Sequence, residues 1–417
     1  MSFWRRVGFM QLDIDFVREQ FPAFSQQTLQ DQAFFENAGG SYACQQVINR
    51  LHRFYVERKV QPYSSYDASR LGGEEMDEAQ VRLAGILGVE TDEVSFGPST
   101  TQNTYVLANA FADWLFDGDA IVVTNQDHEA NTGPWRRLAD KGIKVLEWQL
   151  NKDTGHLDIN DLQKLLENGV KLVCFPHCSN VVGEINDVSK IVDLIHSFGA
   201  FVCVDGVSYA PHGLPNVGKI GADIYLFSSY KTYGPHQGIM VIRRTLGEKL
   251  PNQGHYFNAK YLSKRFTPAG PDHAQIAACA GIADYIDALH QHHGGPSSAS
   301  PTERGEFVHD LMRAHETEIM PPLLEWATSK NSVRLLGPVD AELRAPTVAL
   351  DIKQSPKDVA EKLARKGIMA GSGDFYAVRA LEAHGIDTSK GVLRLSYVHY
   401  TNRAEIEKLV DALDTII

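Results

Sequence analysis

Short apolar runs alternate with helical patterns between about residue 75 and residue 245. These runs show little polar alternation, which is typical of strands that are covered on both faces. The helical segments between them predict parallel crossover connections. We therefore expect an α/β fold with a large, mostly parallel sheet of the seven-stranded kind. The predicted strands are 93–96, 120–124, 143–146, 170–175, 201–204, 224–227 and 238–242.

The pattern changes after this region. A helical pattern over 274–289 leads into the segment 291–301, whose glycines, prolines and serines predict a polar loop and a domain boundary. Beyond it, helical patterns flank two apolar strands, 347–351 and 392–396, which is typical of a smaller α+β domain. The predicted division is a large domain over 41–295, a small carboxyl-terminal domain over 296–417, and an amino-terminal segment, 1–40, that packs with the small domain.

Length and charge narrow the function classes. The 417 residues exceed the roughly 250 to 300 at which single cores stop growing, which favours two domains. A net charge of −12 without a basic patch argues against nucleic acid or an anionic membrane as partner, so we expect a small-molecule substrate.

No stretch has the roughly 20 apolar residues of a membrane span, and the first residues do not resemble a signal peptide. Five cysteines, mostly in apolar segments, suit a reducing compartment, and we expect a cytoplasmic protein.

Two chemically useful residues stand at strand ends. Lys231 follows the strand 224–227 in a segment rich in hydroxyls and glycine, and Asp205 follows the strand 201–204. An aldehyde cofactor, pyridoxal phosphate, needs a lysine to hold it as a Schiff base and a carboxylate to keep its pyridine nitrogen protonated. Taken singly, a solvated loop lysine and a helix-capping aspartate are equally good interpretations. Together they favour a cofactor site at the carboxyl edge of the sheet.

Other strand ends carry polar residues that we expect at the same edge. Residues 97–102 precede a helix whose free amides could bind a phosphate, although an ordinary Ser/Thr cap is the alternative. His128 could stack on a pyridine ring and move protons, and a merely hydrogen-bonded histidine is its alternative. Asn180 could donate to a phenolate oxygen, or it is a turn residue.

Arg394 lies within an apolar strand, where a charge needs a partner. A substrate carboxylate could supply two hydrogen bonds, and a structural ion pair is the alternative. The cluster His290, His292 and His293 lacks cysteine or carboxylate partners at ligand spacing, so we predict a flexible loop there and no metal site.

From Phe35-Glu-Asn-Ala-Gly-Gly40 to about Leu413, the sequence resembles the class V aminotransferase family of fold-type I pyridoxal phosphate enzymes. It is most similar to the branch that holds cysteine desulfurases and isopenicillin N epimerase. In that branch the pattern Ser-x-x-Lys-x-x-Gly-Pro carries the Schiff-base lysine, and residues 228–235 match it. The resemblance implies a small amino-acid substrate and a homodimer with a shared active site. It assigns catalysis to Lys231, His128 and Asp205, cofactor contacts to these three and to Thr100, Thr101, Asn180 and Ser228, and the substrate carboxylate to Arg394. We also expect cofactor contacts from Ser208 and Tyr230 and substrate contacts from Asn37 and Gly39, with a plain turn as the alternative for Gly39.

The sequence also departs from that family. Desulfurases carry a loop cysteine that attacks the substrate sulfur, and the corresponding stretch here, 370–377, has none. Ser208 replaces a common glutamine, Tyr230 replaces a common histidine, and Gly270 lies near the position of a threonine that the neighbouring subunit supplies to the phosphate. We therefore expect no persulfide formation by the usual route and an altered dimer contact.

The leading hypothesis is a cysteine desulfurase-like lyase that acts at Cα and Cβ of a small amino acid, with Lys231 as the base at Cα. Transamination and epimerisation share its early steps and stay open as alternatives. A non-catalytic, cofactor-binding scaffold is a weaker hypothesis because it has no use for a full set of catalytic side chains. A nicotinamide-binding Rossmann enzyme is disfavoured, since no Gly-x-Gly-x-x-Gly segment opens a helix after a strand.

Overall fold

The computed structural model describes residues 11–417, and the first ten residues of the predicted amino-terminal segment lie outside that range. The strands in chain order are β1 (Ala33–Phe35), β2 (Val94–Gly97), β3 (Ala120–Thr124), β4 (Lys144–Trp148), β5 (Val170–Pro176), β6 (Phe201–Asp205), β7 (Ile224–Ser228), β8 (Gly238–Ile242), β9 (Val333–Leu335), β10 (Thr347–Ile352), β11 (Ile368–Gly373) and β12 (Val392–Ser396). The helices are α1 (Ile14–Glu19), α2 (Gln45–Arg53), α3 (Asp67–Leu87), α4 (Thr100–Trp114), α5 (Gly133–Arg136), α6 (Ile159–Leu166), α7 (Val188–Ser197), α8 (Val217–Ile220), α9 (Arg244–Gly247), α10 (Leu262–Arg265), α11 (His273–Ala278), α12 (Ala280–His292), α13 (Pro301–Ile319), α14 (Pro321–Ser329), α15 (Pro356–Arg365), α16 (Val378–Ala383) and α17 (Arg403–Ile416).

The larger sheet has seven strands in the order β2-β8-β7-β6-β5-β3-β4. Strand β8 runs antiparallel to its neighbours β2 and β7, and the other pairs are parallel. This confirms the predicted large, mostly parallel sheet. Each of its strands coincides with a predicted strand to within about two residues.

Both faces of this sheet are buried. In β5, Leu172 and Cys174 pack into one core, whereas Val173 and Phe175 pack into the core on the opposite face. Helices α4 and α5 contribute to the first core, and α3, α7, α11 and α12 to the second. Because neither face of the inner strands meets water, they show little polar alternation, as is typical of α/β layers, whereas the edge strand β4 is only partly buried.

The smaller sheet has five strands in the order β1-β11-β12-β10-β9. Strand β1 is parallel to β11, and the other pairs are antiparallel. Helices α14, α15 and α17 pack around its separate hydrophobic core. This is the smaller α+β unit that the sequence predicted.

Helix α13 and the amino-terminal segment each contribute residues to the cores of both units. Along α13, Val308 belongs to the core of the larger unit, whereas Ile319 reaches that of the smaller one. In the amino-terminal segment, Phe35 packs in the smaller unit, whereas Phe21 packs in the larger one. The domain limits after residues 40 and 295 stay a prediction.

The histidine cluster differs from its prediction. His290 and His292 lie in the last turn of α12 and not in a loop, because this helix continues to His292. His292 Nε2 lies 2.9 Å from Asp13 Oδ2, and the backbone N–H of Asp13 donates to His293 Nε2 at 2.9 Å. The cluster thus ties α12 to the start of α1. Among residues 11–417, no helix is long and apolar enough to cross a membrane.

The carboxyl ends of the parallel strands position the site. Parallel strands end at the same edge of a sheet, so the segments that follow β3, β5, β6 and β7 gather there. Strand β12 of the smaller unit reaches this edge as well, because the side chain of Arg394 donates to the backbone oxygen of Asn180 at 3.2 Å. The site is therefore built between the two sheets.

Candidate active site

Lys231 lies in a single 3-10 turn directly after β7, and its side chain is buried. Among residues 11–417, its Nζ forms no hydrogen bond or ion pair, and the centroid of the Tyr230 ring is 5.9 Å away. Burial, and then the positive charge of Arg394, lower the pKa of Lys231 to about 8. A buried amine with a lowered pKa is the kind of group that attacks a carbonyl carbon.

Asp205 ends β6, is buried, and accepts a hydrogen bond from the backbone N–H of Val207 at 2.8 Å. Burial raises the pKa of Asp205 to about 6. A second buried carboxylate, Asp127, has its pKa raised by burial and then by the charge of Asp205. Two buried carboxylates near each other favour a bound positive charge, because each is costly to bury alone.

His128 follows β3 and is neutral. The backbone N–H of Ala130 donates to its Nδ1 at 3.0 Å, which leaves the ring proton on Nε2. Burial, then the charges of Lys231 and Arg394, lower the pKa of His128 to about 3. Its ring centroid lies 5.4 Å from that of Tyr376. The imidazole therefore presents a flat, uncharged face at the edge of the sheet.

The start of α4 forms a cup with free donors. Thr100 Oγ1 lies 2.7 Å from Ser228 Oγ, and Ser99 caps the helix. Gly238 of β8 lies against this turn, since a Cβ there would be 2.6 Å from the backbone nitrogen of Thr100. The next predicted residue, Thr101, is exposed in the first turn. Within residues 11–417 the backbone amides of Thr100 and Thr101 have no partner, and together with the two hydroxyls they form a phosphate-binding arrangement.

Arg394 lies in the middle of β12 with 4% of its side chain exposed. Its Nη2 donates to Glu36 Oε1 at 2.8 Å, and its guanidinium carbon lies 3.7 Å from the centroid of the Phe375 ring. The sequence left open whether Arg394 pairs with a substrate carboxylate or with a carboxylate of the protein. The structure shows an ion pair with Glu36 of the protein.

Asn37 and Ser208 line a small cavity together with Lys231. The Asn37 amide is already engaged, because its Nδ2 donates to the backbone oxygens of Phe34 and Ser396 at 3.2 and 3.3 Å. Its Oδ1 accepts from the Tyr400 hydroxyl. A contact from Asn37 to a substrate through this amide needs a rearrangement.

The other predicted contacts lie nearby. Asn180 Nδ2 donates to the backbone oxygen of Phe375 at 2.9 Å, while its buried Oδ1 has no partner within residues 11–417. Tyr230 stacks on His236, with ring centroids 4.7 Å apart. Gly39 adjoins Glu36. The specific roles of these residues stay predictions.

Sequence reasoning missed three members of the site, Asp127, Glu36 and Phe375. The first two had a local signal, since Asp127 precedes His128 and Glu36 directly follows the apolar strand β1. Phe375 had none, because a half-buried loop aromatic has no distinctive sequence pattern. Phe375 and Tyr376 both have positive φ, of 53° and 56°, which is uncommon for residues other than glycine.

Comparisons with known proteins agree with this geometry. The model of the family described as Aminotransferase class-V matches residues 33–293. An aminotransferase-like protein, FGM3, of Gibberella zeae is 32% identical over 97% of this chain and 98% of its own length. A cysteine desulfurase of Yersinia pseudotuberculosis is 26% identical over 98% of this chain and 99% of its own length. An apo structure of a cysteine desulfurase from Thermococcus onnurineus NA1 is similar with a TM-score of 0.84, 23% identity and 99% coverage of both chains.

The fold and the site define a pyridoxal phosphate-dependent enzyme of fold type I, as the sequence predicted. Within that class, the chain belongs to the class-V aminotransferase family. The residues present fit the cofactor. Lys231 offers a buried amine without a partner among the described residues, Asp205 a buried carboxylate that favours a neighbouring positive charge, and the start of α4 a cup for a phosphate.

Proposed function

We propose that this protein is a lyase that acts at Cα and Cβ of a small amino acid and forms no persulfide on a loop cysteine. The carrying observation is the loop around Phe375, which reaches over Arg394 and contains no cysteine. All five cysteines of the chain are at most 2% exposed. Burial raises the pKa values of Cys44, Cys178 and Cys279 to about 12, so these thiols are poor nucleophiles.

The residues of the candidate site divide the chemical tasks in this proposal. Pyridoxal phosphate, when bound, withdraws electrons from the substrate Cα. Lys231 holds the cofactor and then carries the proton at Cα, a task suited to an amine with a pKa of about 8. Asp205 keeps a proton on the pyridine nitrogen. Thr100, Ser228 and the first-turn amides of α4 bind the phosphate.

Two further residues act on the ring and the substrate. His128, being neutral and flat, packs against the pyridine ring and excludes water from that face. Arg394 binds the substrate carboxylate. Its guanidinium is a buried cation on β12 of the smaller unit, and it reaches the edge of the larger sheet where the cofactor-binding side chains lie.

We also propose a cytoplasmic homodimer whose subunits share the site. Exposed aromatic side chains, which are enriched at protein interfaces, support association: Tyr256 and the adjacent Phe257 are 88% and 61% exposed, and Tyr55 is 52% exposed. The cysteines are all free thiols, which suits a reducing compartment. Sedimentation of the purified protein tests the dimer, and a monomer at micromolar concentration contradicts it.

Transamination is the second candidate. It is favoured by the likeness to an aminotransferase-like protein, which extends over 98% of that relative's length. Epimerisation needs the same proton carrier at Cα. Elimination, transamination and epimerisation all begin with removal of the proton from Cα, and the residues around Lys231 serve this common step. The reactions differ only in where the proton and the electrons go afterwards.

An absorbance experiment separates the candidates. The spectrum of the purified protein is followed while cysteine, cysteine sulfinate and alanine are added in turn. We expect a lyase, for which a keto product accumulates without any added keto acid while the visible band persists. A band that bleaches and recovers only with a keto acid contradicts this and indicates transamination. Free cofactor at the same concentration is the control.

Capture of the cofactor is expected to depend on pH. The pKa of Lys231 is lowered to about 8, so its amine loses its proton, and becomes nucleophilic, at a lower pH than that of free lysine at about 10.4. The rate constant for formation of the visible band, after cofactor-free protein is mixed with pyridoxal phosphate, should rise through pH 8 and then level off. A midpoint at about 10, as for free lysine, would show that burial does not lower the pKa of this amine.

A further inference from the structure

Glu36 forms an ion pair with Arg394, the cation that the proposed function assigns to the substrate carboxylate. Its Oε1 accepts from Arg394 Nη2 at 2.8 Å, and this is the single hydrogen bond of its carboxylate within residues 11–417. A substrate carboxylate and Glu36 therefore compete for one guanidinium.

The pair leaves hydrogen-bonding groups unused. Glu36 Oε2 and Arg394 Nε are both buried, and neither has a partner within the described part of the chain. A guanidinium binds a carboxylate best through two parallel hydrogen bonds, whereas this contact has one. Buried polar groups without partners are costly, so the ion pair is a weak arrangement that a better placed carboxylate can replace.

The resting position of Glu36 is nevertheless built into the backbone. A Cβ on Gly371 would overlap Glu36 Oε2, and a Cβ on Gly39 would lie 3.0 Å from Oε1. Gly371 pairs directly with Arg394 across the β11–β12 ladder. Gly39 and Gly371 thus leave room beside Arg394 for the carboxylate of Glu36, which is the first residue after β1.

The two partners are unequally held. Arg394 is 4% exposed, donates to the backbone oxygen of Asn180 at 3.2 Å, and is covered by the Phe375 ring. Glu36 has 29% of its side chain exposed and no second side-chain partner in the described part of the chain. Arg394 is therefore the more firmly held of the two partners.

We infer that Glu36 is a specificity-determining residue, which stands in for the substrate carboxylate at rest and is displaced from Arg394 when the substrate binds. This inference rests on the proposed role of Arg394 as the carboxylate anchor. The internal carboxylate keeps a buried arginine paired in the free enzyme. It also sets a threshold, because a ligand must offer a carboxylate that binds Arg394 better than Glu36 does.

The test uses Glu36→Gln in the cofactor-loaded enzyme. Glutamine keeps the size that Gly39 and Gly371 accommodate but removes the competing charge. We expect propionate, measured by titration calorimetry, to bind about tenfold more tightly, as for the loss of one competing charged hydrogen bond. Propylamine, which lacks the carboxylate, should show no gain. If Glu36→Gln fails to fold, Glu36→Asp, whose shorter side chain retracts from Arg394, carries the same expectation of tighter propionate binding.

Glu129→Gln is the matched control. Glu129 lies 3.4 Å from Arg379, and its backbone N–H donates to Tyr376 of the same loop, so the variant removes an equal charge nearby without touching Arg394. Propionate affinity should not change in it. An equal gain in this variant would mean that general charge, and not displacement of Glu36, controls binding, and would overturn the inference.

Arg394→Gln separates the inference from the proposed function. If this variant binds propionate as well as the unaltered enzyme does, Arg394 is not the carboxylate anchor and the proposed role is wrong. If it loses binding while Glu36→Gln gains none, the anchor is right and the Glu36 inference alone is wrong. Loss in Arg394→Gln together with gain in Glu36→Gln supports both.

Discussion

Lys231→Ala is expected to abolish both turnover and the visible absorbance of the bound cofactor. The side chain is the one amine placed at the end of β7 with a pKa lowered to about 8, so the variant removes the covalent attachment and the proton carrier together. Loss of the proton carrier alone reduces rates by about 10² to 10⁴-fold. Spectra after incubation with excess pyridoxal phosphate, and turnover of the amino acid found active, measure the two effects.

Two other lysine variants separate attachment from charge. Lys231→Arg keeps a positive charge near Asp205 but cannot bind the cofactor covalently, so it should lose the visible band as fully as the alanine variant. Lys353→Ala removes an exposed lysine of the smaller unit and should leave band and turnover unchanged. Turnover that survives in both Lys231 variants would exclude Lys231 as the essential amine.

Asp205→Asn is expected to leave the cofactor bound but reduce turnover by at least about 10²-fold, the usual loss when an electrostatic contact to the reacting system is removed. The buried carboxylate has a pKa raised to about 6 and favours a positive partner, which an amide does not. Its charge also raises the pKa of Lys231, so the variant should shift the pH profile of cofactor capture towards lower pH. Turnover and the capture profile give two independent measurements.

Asp127→Asn is the control for that variant, since Asp127 is the neighbouring buried carboxylate. It accepts from the backbone N–H of His128 at 2.8 Å and from Asn131 Nδ2 at 2.7 Å, so it serves the local turn. We expect a smaller loss of turnover from it. The reverse order, with Asp127→Asn the more damaging change, would assign the pyridine nitrogen to Asp127.

Most of the larger unit could be predicted because its determinants are local. A strand buried on both faces must be apolar over its whole length, which left each run visible in the sequence. Parallel crossovers then place all strand ends at one edge, so Lys231, Asp205 and His128 could be brought together without knowing any side-chain contact. The histidine cluster was less predictable, because its partner Asp13 lies far away in the chain.

The contacts of the smaller unit could not be predicted in the same way. Glu36 and Arg394 are 358 residues apart in the chain, and they meet because β1 and β12 both flank β11. Nothing in a local pattern states which of several acidic residues will reach a buried arginine. The sequence predicted that Arg394 needs a partner but not which partner it has.

The sequence by itself determined the strands of the larger sheet, their shared edge and the residue types that a pyridoxal phosphate site needs, because each follows from periodicity, burial and the chemistry of single side chains. Tertiary structure alone decided that Glu36 forms an ion pair with Arg394 and that the Phe375 ring covers the Arg394 guanidinium. These contacts depend on the packing of segments far apart in the chain, where small differences in backbone position decide which groups meet.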